Sequence, residues 1–128
     1  MSVESVEPAE KSSVDEKLDR LLSRFAMAAR AHNDAMESMD EEGSNTHARM
    51  VALLYERLVS TDATGEEKLL TLLDSDNPVV AGMAAVYGIR LNPERCLATL
   101  RRVAEEPGLL GFRASQAIER WESGEWEQ

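Results

Sequence analysis

Aromatic side chains are scarce in this sequence, at 5% of 128 residues, so its core has to be built from aliphatic side chains. Hydrophobic residues still make up 43% of the chain, mainly Leu, Ala, Val and Met. That mixture favours helices over strands. The length suits one domain, and it suffices to bury a true core.

Cysteine and long apolar runs are also nearly missing. Cys96 is the one cysteine, which excludes an intramolecular disulfide and favours a reducing compartment. Residues 1–13 have neither the basic nor the apolar region of a signal peptide. No apolar run reaches the roughly 18–20 residues of a membrane span. We therefore expect a cytoplasmic protein that does not bind membranes.

Basic residues are outnumbered, with 14 Lys and Arg against 24 Asp and Glu and a formal net charge of −10. Such a field repels phosphate backbones and anionic membrane surfaces and attracts basic proteins. We expect a basic protein partner and no nucleic acid. The alternative is that the acidity only keeps the protein soluble.

Residues 77–91 carry the least polar stretch, with no charged residue between Pro78 and Arg90. Its apolar side chains point all round a helix, which is typical of a buried core helix. Pro78 suits the first turn, with Asn77 or Asp76 as the cap. Gly82 and Gly88 predict close approach of a neighbouring helix.

Apolar periodicity and breaker residues predict five further helices. They span residues 13–39, 47–59, 66–73, 93–105 and 109–123. The acidic run 40–43 is expected to end the first helix, and residues 44–46 to cap the second. We divide the chain into a disordered acidic tail (1–13), a single helical-repeat domain (14–123) and a C-terminal tail (124–128).

An internal repeat joins two parts of this domain at an offset of 28 or 29 residues. The matched pairs are Leu69 with Leu97, Leu72 with Leu100, Pro78 with Pro107, and Ile89 with Ile118. Two short helices per unit, with a proline between them, indicate an α-solenoid.

The PER at residues 93–95 and the PGLLGF at residues 107–112 carry a family resemblance. Residues 68–121 resemble HEAT-type repeats, and more closely a family of small bacterial proteins with two such repeats behind an N-terminal helical hairpin. The resemblance implies an all-α fold of the α-α superhelix type. Some small HEAT-like bacterial proteins look like immunity proteins that bind and silence a toxin.

Sites for chemistry are weakly supported. Gly108 and Gly111 form no phosphate-binding pattern. Cys96, His32 and His47 all fall on apolar stripes, which favours structural roles over a Cys-His catalytic pair. The carboxylates of residues 34–42 make at most a weak metal site, so we predict no catalytic residue, metal or cofactor. The arginines of the last 40 residues either form a patch or pair with Glu94, Glu105, Glu106 and Glu119.

The best candidate binding surface is the acid-rich end of the first helix. Asp34, Glu37 and Glu41 step by three and four residues, so they share one face of a continuous helix. Asp40 and Glu42 lie beside that face. Acids at this end oppose the helix dipole, and such a local conflict is typical of a functional surface. Trp126 is either a further interface anchor or folded back over the last helix.

Together these features predict a non-catalytic protein-binding module, of an immunity or adaptor type, that engages a basic partner. The alternative is a helical-repeat enzyme or nucleic-acid-processing domain.

Overall fold

The computed structural model describes residues 13–60 and 62–127. Throughout these residues the chain forms helices and turns, with no strand, which confirms the predicted all-α class of six packed helices. The first helix begins at Ser13, as the periodicity predicts, so the predicted tail of residues 1–13 is one residue too long; residues 1–12 lie outside the described part. The helices are α1 (Ser13–Glu37), α2 (Glu41–Val59), α3 (Ala63–Thr71), α4 (Pro78–Gly88), α5 (Pro93–Val103) and α6 (Gly108–Glu122), with 3-10 turns at Leu72–Asp74 and Glu125–Glu127.

The first two helices form a hairpin whose turn differs from the prediction. Residues 44–46 were expected to cap α2, but α2 begins at Glu41 and its cap is Asp40. The Asp40 carboxylate accepts a hydrogen bond from the Gly43 amide at 3.0 Å. The acidic run therefore starts a helix instead of ending one, because its carboxylates face free amides and the positive end of the α2 dipole.

The central helix α4 has the cap that the sequence predicts. The Asn77 side chain accepts from the Val79 amide at 2.9 Å, and Pro78 occupies the first turn. Ala84 is fully buried in the core. Tyr87 meets the Phe25 ring edge-on, with centroids 6.0 Å apart, and so ties α4 to α1.

Glycine permits close packing at three positions, Gly65, Gly88 and Gly111. A Cβ on Gly88 would lie 3.2 Å from Leu70, which confirms the predicted close approach there. One on Gly82 would lie 3.5 Å from Val103, an ordinary contact, so close approach is not required at that position. The closest approaches are at Gly65 and Gly111, where a Cβ would lie within 2 Å of the backbone oxygens of Leu58, near the end of α2, and Glu106, in the turn before α6.

The start of α3 is also earlier than predicted. Residues 60–65 were expected to form a loop, but Asp62 caps a helix that begins at Ala63, accepting from the Thr64 amide at 2.9 Å. Further along, the Lys68 ammonium lies 2.7 Å from Asp19 and 3.2 Å from Asp15. These hydrogen bonds, Asp19 first, raise the pKa of Lys68. The result is a polar link between α3 and the first turns of α1.

The C-terminal arginines find partners other than the predicted glutamates. Arg101 lies 3.8 Å from Glu122, and Arg120 lies 4.0 Å from Glu125. Arg102 donates to the backbone oxygen of Leu73 at 2.9 Å. Arg101 therefore links α5 to α6, and Arg102 links α5 to the 3-10 turn that follows α3. Within the described ranges, no helix is both long enough and apolar enough to cross a membrane.

Candidate functional site

Two surfaces stand out, and the first is the turn between α1 and α2, here called the acidic corner (residues 34–42). All five predicted acids are exposed there: Asp34, Glu37, Asp40, Glu41 and Glu42. They do not share one helical face, because α1 ends at Glu37 and Glu41 belongs to α2. Three of them stabilise the start of α2, so the predicted conflict with the α1 dipole is limited to Asp34 and Glu37.

The local conflict in the acidic corner lies instead in the backbone of Met39. Its φ is 61°, in the left-handed region. The Met39 amide donates to Met36 at 3.1 Å, and the Asp40 amide donates to Ala35 at 2.8 Å. This is a Schellman helix end, in which glycine is the usual left-handed residue. A side chain there costs about 1–2 kcal/mol. The Met39 side chain is nevertheless 90% exposed, so packing does not offset that strain.

Sequence reasoning missed Met39 because the usual signal of this helix end is a glycine, and the nearest one, Gly43, lies within α2.

Trp126 folds back over the last helix, which is the second of the two arrangements considered for it. Its half-buried ring meets Trp121 edge-on at 6.2 Å between centroids, and the Arg120 guanidinium lies 4.9 Å from its centre. Its backbone oxygen accepts a hydrogen bond from Arg90. These contacts place Trp126 at the rim of a second surface. It is not among residues 34–42 of the acidic corner.

That second surface is a cleft of about 290 Å³ between α1, α4, α5 and α6. Its wall is largely apolar, with Gly82, Met83 and Val86 contributed by α4. Met83 and Val86, which were expected to be core residues, are only half-buried because they face this cleft. The polar side chains on its lining are His32, Asn33, Arg113, Gln116 and Arg120, and no carboxylate is among the lining residues.

Two buried polar atoms at the cleft have no hydrogen-bond partner among the described residues. They are His32 Nδ1 and Asn33 Oδ1. Burial, followed by the charges of Arg113 and His47, lowers the pKa of His32. Burial also lowers the pKa of Arg113, against the opposing influence of Glu37. At neutral pH the cleft thus presents an uncharged imidazole and a partly desolvated guanidinium.

The cysteine lies elsewhere. Cys96 is fully buried beside Gly88, and burial raises the pKa of its thiol to about 11. Such a thiol holds its proton at neutral pH, so it is poorly suited to nucleophilic attack. His47 is half-buried. Within residues 13–60 and 62–127, no three His, Cys, Asp or Glu side chains are grouped to hold a metal.

Comparison with protein-family models, curated proteins and solved structures gives no match. The resemblance to HEAT-type repeats therefore stays a prediction.

Proposed function

We propose that this protein is a non-catalytic protein-binding module that docks a basic partner on the acidic corner. The observation that carries this proposal is Met39. A large apolar side chain stands 90% exposed on a left-handed residue, where glycine would relieve the strain. A residue that breaks a local rule without a structural return is a candidate for function.

The surroundings of Met39 suit a protein interface. Methionine is flexible and polarizable, which makes it an adaptable contact residue. Residues 34–42 contain five carboxylates and no basic side chain. An apolar anchor within a charged rim is the usual anatomy of an interface hot spot. The uniform charge favours a cationic partner and faster association by electrostatic steering.

Burial of the Cys96 thiol supports the non-catalytic part of the proposal. We also propose that the fold is a HEAT-like superhelix, made of the α1–α2 hairpin and the helix pairs α3–α4 and α5–α6. Pro78 and Pro107 support it, since each stands at the start of the second helix of its pair. The resemblance supports an immunity-type role, and the single cysteine supports a place in the cytoplasm, where an adaptor role is the alternative.

Site-specific photocrosslinking tests where the partner docks. A photoreactive amino acid replaces Met39 in one variant and Met27 in the control, since Met27 is also exposed, at 60%, but lies in the middle of α1. Both variants are irradiated in cells of the organism that encodes the protein. We expect a basic protein to crosslink at position 39 and not at position 27.

Charge reversal then tests how the captured partner binds. Glu37→Lys with Glu41→Lys should slow association and flatten its salt dependence in surface plasmon resonance at two ionic strengths. The matched control is Glu105→Lys with Glu106→Lys, two exposed acids in the turn between α5 and α6. Equal association rates for all three proteins would refute the proposal. The nucleic-acid alternative predicts the opposite response, because removing carboxylates strengthens binding to phosphates.

A further inference from the structure

The cleft differs in charge from the rest of the molecule. The chain carries a formal charge of −10, yet arginine supplies the only charged side chains among the described residues that line the cleft. Its volume, about 290 Å³, lies near the lower end for pockets that hold small organic ligands. The cleft therefore has the size and the charge to hold a small anion with an apolar body.

The room in the cleft depends partly on Gly82. A Cβ at this position would meet Val103 at 3.5 Å, an ordinary van der Waals distance. Helix packing therefore does not require glycine here, and glycine is a poorer helix former than alanine. Gly82 itself lines the cleft, so a larger side chain at this position would occupy part of its volume.

The polar groups of the cleft are left incomplete. His32 is only 8% exposed, and its Nδ1 has no partner among the described residues. The same holds for Asn33 Oδ1. Buried polar atoms are nearly always hydrogen-bonded, because leaving one unpaired is unfavourable. Both side chains line the cleft, but each atom is shielded from solvent, and Asn33 Oδ1 is an acceptor that cannot pair with a carboxylate. They mark the inner wall of the cleft as polar, and the groups that meet a ligand directly lie nearer its mouth.

Arg113 provides an unpaired positive charge beside them. Its side chain is half-buried, and none of the hydrogen bonds or ion pairs in the described part of the chain involves its guanidinium. Glu37 is the acid that acts on it electrostatically. A desolvated guanidinium pairs strongly with a carboxylate through two parallel hydrogen bonds.

We propose that the cleft binds a small organic monocarboxylate with an apolar body. The carboxylate pairs with Arg113, while the apolar body packs against Gly82 and Met83. A single negative charge fits best, because only Arg113 is free to pair with it. Arg120 already lies over Trp126 and close to Glu125.

The test uses 4-phenylbutyrate and octanoate as probes, with their uncharged primary amides as matched controls. Calorimetry measures affinity, and the protein is labelled with ¹³C at its methionine methyl groups to locate the site by NMR. Met83 lines the cleft, whereas Met27 is exposed on α1 outside it. We expect saturable binding of the acids, with the Met83 resonance shifting and the Met27 resonance unchanged.

Variants distinguish the contribution of the arginine charge to binding from that of the shape of the cleft. Arg113→Gln should weaken binding of the acids by about tenfold or more and leave the amides unaffected, since a hydrogen bond to a charged group is lost. Arg101→Gln, on the exposed side of α5, is the control and should bind like wild type. Gly82→Val should reduce binding of acids and amides alike by filling the cleft. The melting temperature and ligand-free Met83 resonance of each variant report whether it is folded.

Three results would overturn the proposal: no saturable binding of either acid, equal affinity for acids and amides, or equal losses in the two arginine variants. Because this site is separate from the acidic corner, each result leaves the protein-binding proposal untouched.

Discussion

The acidic corner and the cleft share helix α1 but differ in almost every physical respect. His32 and Asn33 line the cleft, and Asp34 begins the corner at the very next position. In the corner every charge is solvated and the conflict is in the backbone, at Met39. In the cleft the backbone is regular and the conflict is in unpaired polar atoms. The net charge of −10 therefore agrees with the charge of the acidic corner but not with that of the cleft, whose charged side chains are arginines.

The two surfaces also differ in what builds them. The corner is made by nine consecutive residues and the hydrogen bonds of one turn. The cleft exists only when four helices and the C-terminal turn are docked together. Perturbing the docking of the later helices should abolish the cleft first, and the following variants test that comparison.

Ala84→Asp should have the largest effect, because it places an unpaired charge at a fully buried position of α4. We expect a loss of roughly 3–5 kcal/mol in the free energy of unfolding, enough to unfold most domains of this size. Thermal melting followed by circular dichroism measures it. Ala98→Asp, at an exposed position of α5, is the control and should melt within a few degrees of wild type. An unchanged melting temperature for Ala84→Asp would contradict the central place of α4.

Gly111→Ala should destabilise the cleft side of the molecule next most strongly. The new Cβ would lie 1.9 Å from the Glu106 oxygen, so α6 has to shift away from the turn that joins it to α5. We expect a loss of about 1–3 kcal/mol, measured by urea denaturation. Gly82→Ala is the matched control, because its Cβ fits and alanine is the better helix former, so it should gain up to about 1 kcal/mol. Similar stabilities for the two variants would refute this account of the close approach.

Met39→Gly should stabilise the protein by about 1 kcal/mol, because glycine adopts the left-handed conformation without strain. Met27→Gly should have the opposite effect, because it places glycine inside α1. We expect it to lower the free energy of unfolding by about 0.8–1 kcal/mol. Urea midpoints of the two variants should therefore fall on either side of wild type. A destabilised Met39→Gly variant would mean that the Met39 side chain contributes to the fold, and the argument for its function would fail.

The smallest effect concerns pH. The pKa of His32 is lower in the folded protein than in the unfolded chain, mainly because of burial. The unfolded chain then binds more protons near its own pKa of about 6.5. Stability is therefore complete above that pH and declines as pH falls through it towards the folded value. Urea midpoints at about pH 7.5 and pH 5.5 should differ less in His32→Gln than in wild type.

Arg113→Gln separates the two causes of that lowered pKa. Burial is the larger cause and the charge of Arg113 the smaller, so this variant should keep most of the wild-type pH dependence. If Arg113→Gln removed the pH dependence as fully as His32→Gln does, the order of the causes would be reversed.

Local signals in the sequence predict the helices well where cap and periodicity agree. Asn77 followed by Pro78 places the start of α4 correctly, and Asn92 followed by Pro93 does the same for α5. The prediction is wrong at the turn after α1, because an acidic run can stand either at the end of one helix or at the start of the next. Only the Asp40 contact with the Gly43 amide decides between them.

The cleft is out of reach of such reasoning because its lining comes from helices far apart in the sequence. Arg113 and Arg120 are seven residues apart, which places them on one face of α6 with Ala114 and Ala117. That spacing was a usable signal that the face is lined by small and basic side chains. Its facing partner, His32 on α1, depends on how the helices dock, and spacing within one helix says nothing about docking.

The tryptophans and the tyrosines lie in different parts of this protein, so their spectroscopic signals report on different regions. Trp121 and Trp126 contact each other at the C-terminal end, while Tyr55 and Tyr87 pair at 5.0 Å between α2 and α4. Emission excited where only tryptophan absorbs will follow the seating of the C-terminal turn beside the cleft. The near-ultraviolet dichroism of the tyrosines will follow the core between the hairpin and α4. One unlabelled sample thus records both regions during a single unfolding experiment.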